Sequence, residues 1–383
     1  MQERIPAVFM RGGTSKAVFF HENHLPRDQK VRDRVILAVF GSPDPNLRQI
    51  DGMGGSFSSA SKVAIISSSR DPSYDVNYIF GQVSIDKPTI GYRANCGNIS
   101  SAVGPFAIDE GLVCAEEPTT TVRIYQVNTK KLILADVPVK TGQYDEEGDY
   151  AIDGVPRAGG KITLHFVEPE GSITGKLLPT GNVTDVLKTT LTGRIVVSIV
   201  DAGNAVVFVR ARDLGMVGTE ISEIDRATEM RQKLDLIRCT AAVMLGLASS
   251  PEEARDTIPN VPQIAFVTEP QDYKSVTGRV IKKEDADVVV RTMSMGTLHK
   301  AYPVTVAIAT SGAAMVENTI VHEMLSKSRC RSEEIRLAHP GGIIPVGALV
   351  ERKGNSYIYK EALLCRTARR LMDGYVYVPK NLL

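Results

Sequence analysis

Residues 92–110 read YRANCGNISSAVGPFAIDE, a strand that runs out into a turn and then into a helix. Val83, Ile85, Thr89 and Ile90 form the strand-like approach. Cys96, Gly97 and Asn98 mark the turn, and Ile99, Ala102, Val103, Phe106, Ala107 and Ile108 continue as a buried apolar helix. Pro105 lies inside that run, so a short or kinked helix is expected. A cysteine where a strand gives way to a helix sits beside unpaired backbone N–H groups and the positive end of the helix dipole. Such a place favours an anion, either a thiolate or a substrate carboxylate. The competing reading is a small core residue at a helix start, because cysteine is commonly buried.

On the N-terminal side, IPAVFM, RGGTSK and AVFF (5–20) read as strand, turn and strand. DQKVRDRVILAVF (28–40) has helical spacing and ends at Gly41. DGMGGSFSSASK (51–62) is Gly/Ser-rich loop that leads into the strand VAII, and DVNYIFGQVSI alternates as another strand. On the C-terminal side, residues 112–168 are β-rich and the Thr/Gly-rich residues 172–194 read as a crossing segment. GRIVVSIVDAGNAVVFVR (193–210) then restarts the pattern, with Val206-Val207-Phe208-Val209 matching Ala17-Val18-Phe19-Phe20 at an offset of 189. A long amphipathic helix is expected at about 220–247, PQIAFVT echoes SKVAIIS, and residues 285–310 echo the Cys96 region. The shared order predicts two copies of one α/β unit, as domains 1–185 and 186–383, with the last strand a candidate to return to the first. Opposed helix N-termini across a cleft between the copies would suit a substrate with a carboxylate at each end. The second copy carries Ser294-Met295-Gly296 where the first has its cysteine, which disfavours a two-cysteine epimerase and favours chemistry with one thiol.

A chain of 383 residues is long for one core and suits two domains. Its 45 basic and 44 acidic residues nearly cancel, and no basic block or membrane-length apolar run occurs, so neither nucleic acid nor membrane is an expected partner. Five scattered cysteines without CxxC spacing point to reduced thiols in the cytoplasm. Six histidines without HxxxH or HExxH spacing predict no protein-built metal site.

RGGTSKAVFF, the GG and Ser-rich loop before SKVAII, CGNISSAVGPFAIDEGLV, RTMSMGTLHKAYPVTVAIAT and AHPGG together resemble one family. It includes 3-methylitaconate Δ-isomerase, 2-methylaconitate isomerase, aconitate Δ-isomerase and 4-oxalomesaconate tautomerase, and the likeness runs from about residue 7 to residue 378. The resemblance implies an α/β (α+β) fold of the diaminopimelate-epimerase-like type, each domain a mixed sheet wrapped around a central helix. It also implies that Lys62 and Cys96 match the family's active-site lysine and cysteine. The implied activity is a cofactor-independent allylic isomerisation of an unsaturated di- or tricarboxylate, nearest to 3-methylitaconate going to 2,3-dimethylmaleate.

That chemistry needs a base for a proton alpha to a carboxylate, donors that hold the dienolate, and an acid for the far carbon. No redox step occurs, so no nicotinamide or flavin is needed. Lys62 is expected to take the proton and Cys96 to return one; the reverse assignment and a one-group suprafacial transfer stay open. Arg11, Thr14, Ser15 and Lys16 in the hairpin turn, and Gly97 and Asn98 at the helix start, are candidate carboxylate contacts. Asn204, Ser294, Met295, Gly296, His299 and His339 are their candidates in the second copy, with Ser294 and Gly296 read as a helix start and His299 one turn into that helix. The expected partners are the small polycarboxylate and further copies of the chain. The rival readings are the same chemistry on 2-methylaconitate, aconitate or 4-oxalomesaconate, a racemase or epimerase of an amino or hydroxy acid, and a non-catalytic accessory protein of an iron–sulfur dehydratase.

Overall fold

Strands dominate because apolar residues recur mostly at every second position. The structure, a computed structural model, describes residues 1–294, 296–326, 334–354 and 356–383. In chain order the elements begin with β1 (Gln2–Gly12), β2 (Ser15–His21), α1 (Gln29–Phe40), β3 (Lys62–Ser68), β4 (Val76–Val83), β5 (Ile90–Gly91), α2 (Gly97–Asp109), β6 (Thr119–Gln126), β7 (Lys131–Lys140), β8 (Gln143–Tyr144) and β9 (Ile162–Val167). They continue with β10 (Asp185–Thr189), β11 (Gly193–Ala202), β12 (Asn204–Arg210), α3 (Ser222–Arg226), α4 (Thr228–Met244), α5 (Pro251–Thr257), β13 (Gln263–Thr268), β14 (Tyr273–Lys274) and β15 (Val280–Ile281). The last are β16 (Val288–Ser294), β17 (Thr297–Leu298), α6 (Val304–Met315), α7 (Ile320–Glu323), β18 (Glu334–His339), β19 (Gly342–Lys353), β20 (Ser356–Arg366) and β21 (Ala368–Pro379). One compact unit holds Met1–His165 and Cys365–Leu383, the other Phe166–Leu364. The division therefore falls at 165/166, where the sequence pattern placed it at 185/186, and the end of the chain belongs to the first unit.

In the first unit β1 and β2 form an antiparallel hairpin, β2 runs parallel to β3, and β3 runs antiparallel to β4. β4 then lies parallel to β6, which turns back into β7. β21 covers the other side of β1, from Gln2 opposite Pro379 to Gly12 opposite Ala368. Alternation gives the sheet two apolar faces. Val18, Phe20, Val63 and Ile65 pack with Val35, Ile36, Val39 and Phe40 of α1. Asp28 caps that helix by accepting from Val31 N, and Gly41 ends it at φ +65°, a left-handed turn glycine adopts without strain. The opposite face holds Ala17, Phe19 and Lys62 and meets α2, where the rings of Phe19 and Phe106 lie 5.3 Å apart.

All residues of α2 from Gly97 to Ile108 are buried. Pro105 does not shorten it: the helix continues through the proline to Asp109. Packing on every side holds a helix whose sequence is apolar all round, which offsets the backbone hydrogen bond that proline removes.

The second unit repeats this order of pairings. β11 and β12 form the hairpin, β12 runs parallel to β13, β13 antiparallel to β16, β16 parallel to β18, and β18 antiparallel to β19. Val206 lies opposite Gln263, as Ala17 lies opposite Lys62. α4 covers one face, with Leu234, Ile237 and Ala241 against Val207, Val209, Ile264 and Phe266. α6 packs on β11, β12 and β19. The helix expected at 220–247 is broken at Ala227 into α3 and α4, and the expected crossing segment contains β10, paired with β11.

Candidate active site

Lys62 is the first residue of β3, enclosed between β2 and β4 and only 8% exposed. Its Nζ donates to Oε1 of Gln82, its cross-strand partner, at 2.6 Å and lies 5.1 Å from the centre of the Phe80 ring. Burial pushes the amine below its ordinary range, while the charge of Cys96 and a hydrogen bond with its sulfur act the other way. Lys62 and Cys96 therefore meet directly inside the first unit, although 34 positions separate them in sequence (96 − 62).

Cys96 is the N-cap of α2 and has extended backbone, but no side chain caps the helix. The first-turn N–H groups thus face the same space as the thiol. The Cys96 carbonyl accepts from Ser100 N at 2.9 Å and from Ser100 Oγ at 3.1 Å, which fixes the turn. Tyr78, fully buried on β4, faces Cys96; burial and that neighbouring charge push its phenol well above the usual value.

The hairpin turn docks onto the start of α2. Asn98 Nδ2 donates to Thr14 Oγ1 at 3.1 Å, and Thr14 N donates to Asn98 Oδ1 at 3.4 Å. The two glycines are dictated by this closeness. A Cβ on Gly12 would lie 2.4 Å from the Asn98 carbonyl oxygen, and one on Gly13 would lie 2.2 Å from Asn98 Oδ1. Thr14, Gly97 and Asn98 are thereby gathered beside Cys96, and Ser15, buried, shares the face of Ala17 and Lys62.

Two hairpin candidates lie elsewhere. Lys16 is one residue out of phase with Ala17, so it points to the other face, where its Nζ sits 5.4 Å from the Phe9 ring. Arg11 turns its guanidinium onto the carbonyls of Gly13, Thr367 and Ala368 and the Thr367 hydroxyl, at 2.8–3.1 Å. It ties β21 to the hairpin.

The second-unit candidates depart from a helix start. Ser294 ends β16, Gly296 is a turn residue at φ +77°, and His299 follows β17. α6 begins only at Val304, after Pro303. Proline disfavours helix in the residue before it and suits a helix entry, so the helix starts there and not at Gly296. His299 Nδ1 accepts from Ala301 N at 3.2 Å, and Met295 lies outside the described residues. Asn204 opens β12, buried, with Nδ2 on the Asn260 carbonyl at 3.4 Å. Its Oδ1, and Oε1 of Gln263 on β13, are buried without a hydrogen-bond partner among the described residues. His339 is the buried last residue of β18; its Nδ1 accepts from Gly341 N at 3.1 Å.

Sequence reading missed Gln82 and Tyr78. Their signal was the alternation in DVNYIFGQV, which puts a glutamine on the face carrying Tyr78 and Phe80. A cavity of about 290 Å³ opens at the far end of α2, lined by His21, Phe106, Glu110 and Arg370 among others. None of the candidate residues lines it; an amine, a thiol and helix N–H groups come together at the other end, around Cys96. Among the described residues no cluster of three metal-ligating side chains occurs, and Cys96, Cys114, Cys239 and Cys365 are free; Cys330 lies outside them.

A mixed sheet wound round a buried helix, present twice, defines the diaminopimelate-epimerase-like class of α/β proteins. A family model described as PrpF protein matches residues 2–379, and the chain belongs to that family. It is 47% identical to a 3-methylitaconate isomerase of Eubacterium barkeri, over 99% of this chain and 98% of that one. It is 41% identical to a 2-methyl-aconitate isomerase of Shewanella oneidensis, again over 99% and 98%. A crystal structure of methylitaconate-delta-isomerase superposes with a TM-score of 0.80 at 46% identity, covering 100% of this chain and 97% of the other. The chain is an isomerase.

Proposed function

We propose that the protein moves a carbon–carbon double bond by a 1,3-proton shift in a small unsaturated dicarboxylate, with 3-methylitaconate going to 2,3-dimethylmaleate. The observation that carries this reading is the contact of the buried Lys62 with the partly exposed Cys96 at the uncapped start of α2. Lys62, as free amine, takes the proton on the carbon that is both alpha to one carboxylate and allylic. The electron pair spreads over the allyl system onto the carboxylate as a dienolate. The N–H groups of Gly97 and Asn98 and the hydroxyls of Thr14 and Ser15 hold the charge. Cys96 protonates the terminal methylene, which becomes the methyl group. The ammonium of Lys62 and the thiolate of Cys96 are left in contact, and one proton transfer between them restores the starting state. Base, donors and acid supply each step, so the reaction runs without a cofactor.

The relative at 47% identity supports 3-methylitaconate as substrate, and the one at 41% supports 2-methylaconitate as the second reading. Free thiols support a cytoplasmic setting. The test is proton NMR in heavy water with 3-methylitaconate, 2-methylaconitate and cis-aconitate offered separately. Loss of the methylene signals with growth of a methyl signal from 3-methylitaconate is the expected result. Turnover of 2-methylaconitate alone would replace the substrate assignment, and no change with any of the three would end the reading.

A further inference from the structure

We propose that Gln82 is a positioning residue for Lys62: a neutral acceptor that holds the amine beside Cys96 without giving it a counter-charge. This deepens the reading above and rests on Lys62 acting as the base. The orientation of the Gln82 amide is decided by its nitrogen, which donates to the carbonyls of Ser58 at 3.1 Å and Ser61 at 3.0 Å. Those two oxygens cannot accept from an amide oxygen, so Oε1 must face Lys62 Nζ, 2.6 Å away. The carbonyls are themselves held in place. Ser61 Oγ donates to Oε1 of the buried Gln49 at 2.6 Å, and Gln49 Nε2 donates to Ser42 Oγ at 2.9 Å.

The amine meets Phe80 and Gln82 of β4 and Cys96 before α2, and Ala17 of β2 is the register partner of Lys62 on its other side. Cys96 is the titratable group acting on it, and Tyr78, further along β4, faces Cys96. A carboxylate at position 82 would pin Lys62 as ammonium and remove the base. An apolar side chain there would let the nitrogen swing away from the thiol. An amide avoids both. The second unit is consistent with this pairing of roles: the Lys62 position holds Gln263, and extending the β13–β16 register from Ala265 opposite Thr292 puts Ser294 at the Gln82 position. The accepting glutamine occurs where the lysine occurs.

Gln82→Glu and Gln82→Met test this in the full chain, with Lys62→Ala as reference. The Lys62 titration is read by NMR of ¹³Cε-labelled lysine, its signal assigned by loss in Lys62→Ala. kcat and KM for 3-methylitaconate are measured against pH, and thermal unfolding checks the fold. Gln82→Glu is expected to raise the Lys62 midpoint by about one unit or more and to move the acid limb of kcat/KM the same way. Turnover on that limb falls roughly tenfold per unit. Gln82→Met is expected to lower the midpoint and reduce kcat with little change in KM. A residue that merely braces the Ser58–Ser61 loop would leave the midpoint unmoved. An unmoved midpoint in both folded variants overturns the proposal, and either variant suffices if the other fails to fold. Undiminished turnover by Lys62→Ala would instead overturn the base assignment, while the NMR midpoint would still report on Gln82.

Discussion

In the first unit a lysine faces a glutamine across a strand pair beside a free thiol; in the second, Gln263 and Ser294 stand at the same two places. The backbone around them is alike to the level of single hydrogen bonds. Asp75 N donates to the Arg123 carbonyl at 2.8 Å, and Asp287 N to the Arg336 carbonyl at 2.9 Å. In each case the arginine returns a backbone bond to the aspartate, at 2.7 Å and 2.8 Å, and adds guanidinium contacts. What the units share is main-chain pairing and the residues that anchor it. Beyond added elements of the second unit such as α3, α5 and β14–β15, they differ in the side chains at the start of the matched strands. The second unit carries an uncharged amide, Gln263, where the first carries the amine of Lys62, and another, Asn204, where the first carries Ser15. If Lys62 and Cys96 are the proton-transfer groups proposed above, their presence on one unit alone suits a shift along an allyl system, and not the inversion of a centre between two matched acids.

The sharpest way to break that contrast is to exchange its members. Lys62→Met and Cys96→Ser are expected to lower turnover roughly 10²–10⁴-fold, whereas Gln263→Leu should cost less than tenfold, all read by the NMR assay. Lys62→Met has a second expected effect. The folded-state value of Lys62 is lowered, so the unfolded chain binds more protons, and the lysine's burial costs stability that is regained as pH rises toward 10.5. At pH 7 the methionine variant should therefore unfold at a temperature equal to or above that of the parent.

Next in size are the hairpin glycines. Gly13→Ala meets both a positive φ of 49° and a contact at 2.2 Å, while Gly203→Ala meets a φ of 68° with its nearest atom at 3.5 Å. The first should lose about 3 kcal/mol in denaturant unfolding and activity with it, the second about 1–2 kcal/mol. Equal losses would mean that the hairpin does not press on α2.

The aspartates come third. Asp287 is fully buried and its counterpart Asp75 is not, so Asp287→Ala should cost about 2–3 kcal/mol and Asp75→Ala clearly less. Burial works to raise the Asp75 value, but its bonds to Arg123 outweigh that and hold it below the usual carboxylate value. Its contribution is thus present above the unfolded-state value and fades as pH falls through the folded one. An Asp75→Asn variant should show less acid-side loss of melting temperature than the parent.

The smallest effect is in the thiols. Cys239 is buried beside Arg238 and Asp235, and burial pushes it up to about 11. Iodoacetamide at pH 8 should leave it unmodified and should label the exposed Cys114 with or without substrate. Labelling of Cys96 should fall when substrate is present. Protection of Cys239 instead of Cys96 would place the site elsewhere.

Much of this was readable in the chain because turn and helix signals are local. RGGTS between two apolar strands, Asp28 and Gly41 around α1, and the offset of 189 between the copies each rest on neighbouring residues. What escaped depends on register. Gln82 joins Lys62 only because β3 and β4 pair with those residues opposed, and no sequence spacing states that. The Asp75–Arg123 and Asp287–Arg336 pairs are separated by 48 and 49 positions and become visible only once the strands are laid side by side. The second helix was placed too early because Pro105 and Pro303 matched in order. One lies inside α2 and the other precedes α6, a difference that tertiary packing decides.

The last strand has a consequence for synthesis. β21 completes the first unit by covering β1, yet about 200 residues of the second unit, Phe166–Leu364, are translated between the two. At about 5–20 residues per second the nascent first unit waits roughly 10–40 s with one edge of β1 unpaired. An open edge is a template for wrong partners. Lys62 and Cys96 leave the ribosome early, but the sheet that presents them closes only with β21, so a chain released before Ala368 would carry both side chains on an unfinished unit.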